Sequence, residues 1–156
     1  MEKKRYLFVL IFFSLFSFQE SSAELLKPNN KLKPIDVVKI QLNALKKNNN
    51  PYQNAGIKQT WEFAHPSNKK FTGPVSRFIK LLNDEGYNIL LNHFEHKIIE
   101  VYNSDNKFIY EITILDKDKF FFKYIWQVEK FLNKGPLNDC WLTTSVSLPT
   151  SAGSSI

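Results

Sequence analysis

The side chains best suited to chemistry gather around residue 95, where His93 and His96 flank Glu95 in an H-x-x-H spacing. Two imidazoles three residues apart can share a metal when they stand on one face of a helix. The run that follows, Lys97–Tyr102, alternates like a strand, and on a strand residues three apart point to opposite faces. The two rings are therefore not expected to converge, and no metal centre is expected. His96 shares its strand face with Glu100. Paired with Glu100, or with Tyr110 on the next run, His96 makes the one candidate acid–base set, of the kind a small isomerase or hydrolase uses. The competing reading is a partly exposed histidine on an outer face, because Ile99 and Val101 claim the opposite face for the core.

Other nucleophiles and ligands lack their context. Ser67 and Ser76 do not sit between a strand and a helix as a nucleophile elbow requires. Asp116 and Asp118 belong to a short lysine-flanked turn, where solvation is the ordinary state. Cys140 is the only cysteine, so no internal disulfide can form, and beside Trp141 it reads as a small buried hydrophobe. No cofactor motif occurs, and none is expected. A second constellation is aromatic: Trp61, Tyr110, Tyr124 and Trp126 either fill a core or wall an apolar pocket carrying a few hydroxyls for a small hydrophobic ligand. A third is basic: Lys69 and Lys70, with Arg77 and Lys80 on the next helix, mark a surface on which a protein partner could dock.

These residues need elements to hold them. A helix begins at Pro34, whose missing N–H costs nothing in a first turn, with Asp36 favoured by the helix dipole. Ile35, Val38, Leu42 and Leu45 make one apolar strip and Val37, Ile40 and Ala44 a second, so this helix is expected between two other layers. A second helix spans about Gly56–Ala64 and is stopped by His65-Pro66. Residues 65–73 then read as an irregular basic loop closed by Gly73-Pro74, before a third helix that turns Val75, Phe78, Ile79 and Leu82 inward. Beyond Glu85-Gly86 the period changes to two. Runs at about His93–Tyr102, Lys107–Leu115, Lys119–Lys130 and Cys140–Leu148, with polar turns between the first three, predict an antiparallel meander. Helices followed by such a meander define an α+β domain, here a curved antiparallel four-stranded sheet around N-terminal helices. The segment from Pro149 (PTSAGSSI) is small and polar and is expected to be disordered.

The chain of 156 residues accommodates one such domain, placed at 34–148 after a polar leader at 24–33. Its formal charge of +6 is spread rather than concentrated in a stripe, which argues against nucleic acid as a partner. At the N-terminus, Lys3-Lys4-Arg5, the apolar run Tyr6–Phe18 and the small residues Ser21-Ser22-Ala23 follow the plan of an export signal cleaved after Ala23. The apolar run is short of the ~20 residues a spanning helix needs. Export to a periplasm, a thylakoid lumen or the extracellular space is expected, the alternative being an uncleaved membrane anchor, with no transmembrane segment after cleavage.

Three stretches carry a family resemblance. Val37, Val38, Gln41, Leu42, Ala44 and Leu45 fit a Val-Val-x-x-Gln-Leu-x-Ala-Leu helix. Gly56-Ile57, Trp61, Phe63-Ala64, Pro66, Asn68, Thr72-Gly73-Pro74 and Arg77-Phe78 fit a second block, and Cys140-Trp141 with Thr144 a third. Across Pro34–Val146 the chain resembles an uncharacterised family of exported or plastid-type proteins, a domain of unknown function found widely in bacteria. The resemblance implies a cone-shaped fold similar to nuclear-transport-factor and steroid-isomerase-like domains. It implies no activity, since that family has no defined catalytic residues. The expected function is a non-catalytic binding or accessory module. An enzyme using His96 and an assembly factor docking through the basic loop are the alternatives.

Overall fold

The structure is a computed structural model that describes residues 24–154; the expected export signal at residues 1–23 lies outside the described residues. Among those described, four α-helices precede an antiparallel sheet of five strands that does not close on itself. Among the described residues, no helix is long and apolar enough to cross a membrane.

Helix α1 (Pro34–Lys46) starts where proline and Asp36 place it, and the Asp36 carboxylate accepts the Lys33 N–H at 2.9 Å. Val37, Val38, Gln41, Leu42 and Leu45 are buried, and the helix packs against both α2 (Ala55–Glu62) and strands β3 (Phe120–Lys130) and β4 (Trp141–Val146), as its two apolar strips require. Helix α2 (Ala55–Glu62) crosses α1 at backbone distance. A Cβ on Gly56 would lie 2.1 Å from the Ala44 carbonyl oxygen, so only glycine allows this approach. Buried Asn48 secures the crossing, its Oδ1 accepting the Ile57 N–H at 3.0 Å and its backbone carbonyl the Gly56 N–H at 2.9 Å. The leader has no regular structure but is clasped to α2: Gln59 exchanges two hydrogen bonds with the Leu26 backbone, at 2.8 and 2.9 Å.

Past α2 the chain bridges to strand β4 through Ala64 and Thr143, then enters a helix where an irregular loop was expected. Helix α3 (Pro66–Thr72) has proline in its first turn, the His65 ring accepting the Ser67 N–H at its start, and Gly73 at φ +81° ending it. It buries no residue, so it has no apolar periodicity to betray it. Helix α4 (Val75–Asn83) buries Phe78 and Leu82, and Phe78 meets the Trp61 ring at 5.0 Å. A single 3₁₀ turn (Asn88–Leu90) leads into the sheet.

Strands β1 (Glu95–Asn103), β2 (Lys107–Leu115), β3 (Phe120–Lys130) and β4 (Trp141–Val146) are ordered as a meander. The expected disordered tail instead contains β5 (Thr150–Ser154), making five strands rather than four. Strand β3 has eleven residues, and β4 covers only Trp126–Lys130; β5 takes the vacant edge at Phe120, Phe122 and Lys123. Ladder bonds come from the backbone, so a small polar sequence can form them. One sheet face supplies Tyr110, Ile112, Ile114, Tyr124, Trp126 and Val128 to the core shared with the helices. The other face carries ion pairs, including Lys123–Glu111 at 2.9 Å.

Candidate functional site

A cavity of about 210 Å³ lies where the helices meet the C-terminal part of the sheet. Helix α1 brings Gln41 to it, α2 brings Thr60, α3 brings Asn68, Phe71 and Thr72, and α4 brings Phe78, Leu81 and Leu82. The sheet closes it with Trp126 and residues 143–146. Most of its wall is apolar, with a compact polar group at the floor. The Trp126 indole N–H points between two acceptors, Gln41 Oε1 and Thr143 Oγ1, each at 3.1 Å. Thr143 Oγ1 in turn donates to Gln41 Oε1 at 2.6 Å, and Gln41 Nε2 donates to the Thr60 carbonyl at 3.1 Å. An indole nitrogen can only donate, which orients the Gln41 amide with its oxygen toward Trp126. Gln41 is 1% exposed and Thr143 2%. Buried polar groups arranged this way cost little when satisfied and are expensive to disturb.

Of the four aromatics expected to wall a pocket, only Trp126 lines this one. Tyr110 is buried and stacks on Phe108 at 6.2 Å between ring centres. Burial first, then the Glu100 and Asp36 carboxylates, push its hydroxyl up to about 12. Tyr124 donates to the Gly86 carbonyl at 2.6 Å, and burial holds its hydroxyl well above the usual phenol range. Trp61 is half-buried against Phe78. These three are packing and tethering residues. Gln41, Thr60 and Thr143, which complete the polar floor, were not singled out as site residues. Gln41 had one readable signal, an amide at helical spacing within the apolar strip of α1.

The His93–His96 expectation is overturned. His93 precedes β1 rather than lying on it, so strand alternation does not separate the rings. They meet edge to face at 5.0 Å, with His93 Nε2 2.7 Å from His96 Nδ1. His93 is 3% exposed and its Nδ1 lies 2.7 Å from the Leu90 carbonyl, which needs an N–H there; its Nε2 therefore accepts from His96. Burial lowers His93 to about 4, with the neighbouring His96 and Lys46 adding to the shift and the Leu90 carbonyl opposing it. His96 is lowered too, by burial and then by Lys46. Glu100 accepts instead from Asn103 at 2.6 Å, and four residues of strand put it about 13 Å from His96. In the β1–β2 register Glu100 lies opposite Tyr110, while His96 lies opposite Ile114. Among the described residues, no three or more histidine, cysteine, aspartate or glutamate side chains converge as a metal site.

The basic residues divide. Lys69 is half-buried, donating to the Glu62 carbonyl at 3.3 Å and lying over the Trp61 ring at 5.5 Å; burial lowers its pKa, against the pull of Glu62. Lys70, Arg77 and Lys80 are exposed. Cys140 is buried, as a small hydrophobe would be. No family model, curated protein or solved structure matches this chain. What the site can do rests on its own geometry.

Proposed function

We propose that this protein is an exported, non-catalytic binding module that holds a small amphipathic molecule in the cavity beneath α3. The cavity and its polar floor carry the reading. A dry cavity of about 150 Å³ admits a single benzene ring, so about 210 Å³ suits a ligand of one or two rings or a short branched chain. Gln41 Nε2 directs one N–H at Thr60 and has a second for an occupant's carbonyl or hydroxyl oxygen, while Phe78, Leu81 and Leu82 cover its apolar part. Export is supported by the Lys3-Lys4-Arg5, Tyr6–Phe18 and Ser21–Ala23 segments. Kinship with the uncharacterised exported family, and a cone in which the sheet curves around the helices, are parts of the same proposal; the helix blocks that carry the resemblance include Gln41, Asn68 and Phe78.

A thermal-shift and tryptophan-fluorescence screen with one- and two-ring amides, phenols and alcohols tests it. Some probes should raise the melting temperature and change Trp126 emission. Ser145→Trp, at an exposed position on the cavity rim, should abolish both responses without unfolding the protein. Silence across the screen, or binding undiminished by Ser145→Trp, would overturn the assignment.

A further inference from the structure

The two helices that supply Asn68, Phe71 and Phe78 to the cavity also carry cations that its lining lacks. From Phe63 to Asn83 the chain carries Lys69, Lys70, Arg77 and Lys80 and no acidic residue. They lie on helices α3 and α4, which are joined by Gly73-Pro74, with Lys69 engaged on Glu62 and Trp61. Lys70, Arg77 and Lys80 are exposed, and Arg77 and Lys80 are one turn apart on the face of α4 away from buried Phe78 and Leu82. The Arg77 stem lies against Gly73, where an added Cβ would sit 2.8 Å from its Cδ, which keeps the side chain beside the end of α3. Phe71 follows Lys70 on α3, two residues before the Gly73 against which Arg77 lies. It touches the cavity yet is 87% exposed, the most exposed large hydrophobic among the described residues.

A single exposed apolar side chain is ordinary on a protein surface; this one is distinguished by its setting, because an aromatic ring beside cations suits a lipid interface. The ring buries itself at the acyl boundary while lysine and arginine meet acidic headgroups. We infer that the α3–α4 face docks on an anionic bilayer surface, with Phe71 as the apolar anchor and Lys70, Arg77 and Lys80 as the headgroup contacts. Docked in this way, the protein turns the mouth of its cavity toward the lipid. The ligand class becomes an amphiphile that partitions into membranes. That last step rests on the ligand-binding proposal; the docking itself does not.

Sedimentation of the chain from Glu24 onward with vesicles tests the docking, comparing pure phosphatidylcholine with a mixture containing one-quarter phosphatidylglycerol. Binding is expected to the anionic vesicles, and it should fall steeply as sodium chloride is raised well above physiological ionic strength. Each Lys or Arg near such a surface contributes about a fivefold factor, so K70Q/R77Q/K80Q should weaken binding by about 100-fold. A control triple with the same change in net charge, K97Q/K117Q/K134Q, should leave it within about twofold if the contact is local. Phe71→Ser should reduce binding at unchanged helix content. Ser145→Trp should bind vesicles normally, which separates failure of the docking from failure of the cavity reading. Equal loss in both triples, no preference for anionic vesicles, or capture by acidic protein surfaces with none by vesicles would overturn the inference.

Discussion

Thr143→Val tests the polar floor of the cavity most directly. The substitution preserves shape and removes one oxygen. That oxygen donates to Gln41 Oε1 at 2.6 Å and shares the Trp126 N–H with it at 3.1 Å. The indole keeps Gln41 Oε1 as an acceptor at 3.1 Å, so no donor is orphaned. The loss is one good hydrogen bond and half of a shared one, about 1–2 kcal/mol at about 1 kcal/mol per bond. For a domain of this size, with a urea slope of about 2 kcal/mol per molar, the midpoint should fall by about 0.5–1 M. Thr143→Ser keeps the hydroxyl and removes a buried methyl, costing about 1 kcal/mol through packing alone. The two variants are told apart by Trp126 emission, which should change in the valine variant and stay as wild type in the serine variant. A valine variant of wild-type stability with unaltered emission would refute the network as a structural element.

Three further outcomes follow from the same geometry. His93 titrates near 4 in the folded chain against 6.5 when unfolded, so the unfolded state binds the extra proton between those values. Stability should therefore be intact above about pH 6.5 and decline as pH falls toward 4, by at most about 3 kcal/mol. Denaturation midpoints across that window check this, and His93→Gln should flatten the slope. Tyr124→Phe deprives the Gly86 carbonyl of its 2.6 Å donor and should cost about 1–2 kcal/mol in chemical denaturation. The Cys140 thiol is buried and its pKa raised by that burial, then by Asp139. A disulfide reagent at pH 8 should react with it only once denaturant is added, and rapid labelling of the native chain would contradict the packing.

Much of the fold was legible because burial writes periodicity into sequence. Strand β2 occupies Lys107–Leu115 as expected, since alternating Phe108, Tyr110, Ile112 and Ile114 lie between two tight polar turns. Helix α1 was equally plain. Elements that bury no side chains leave no such trace. Helix α3 is held by its caps and neighbours, and β5 by backbone bonds to a strand longer than its partner. The histidine pair was misread for a different reason. Facing on a strand depends on where the strand begins, and β1 starts at Glu95, two residues after His93. The aromatic constellation was assembled from residue type, whereas the cavity is lined by whichever residues the helices turn toward it. That placement depends on how α2, α3 and α4 stack, a tertiary relation with no local signature.

Gly56 carries a consequence for how this protein can change over time. The contact of its backbone with Ala44 fixes the separation of α1 and α2, and those two helices carry Gln41 and Thr60, joined across the gap by a 3.1 Å hydrogen bond. A side chain at residue 56 would wedge the pair apart and spread the cavity floor at the same moment. The internal dimension of the cavity is thus locked to a position outside its lining. Change in the cavity's shape is left to lining residues away from that contact, such as Asn68, Phe71, Thr72 and Ser145, while the glycine stays as a gauge block between the helices.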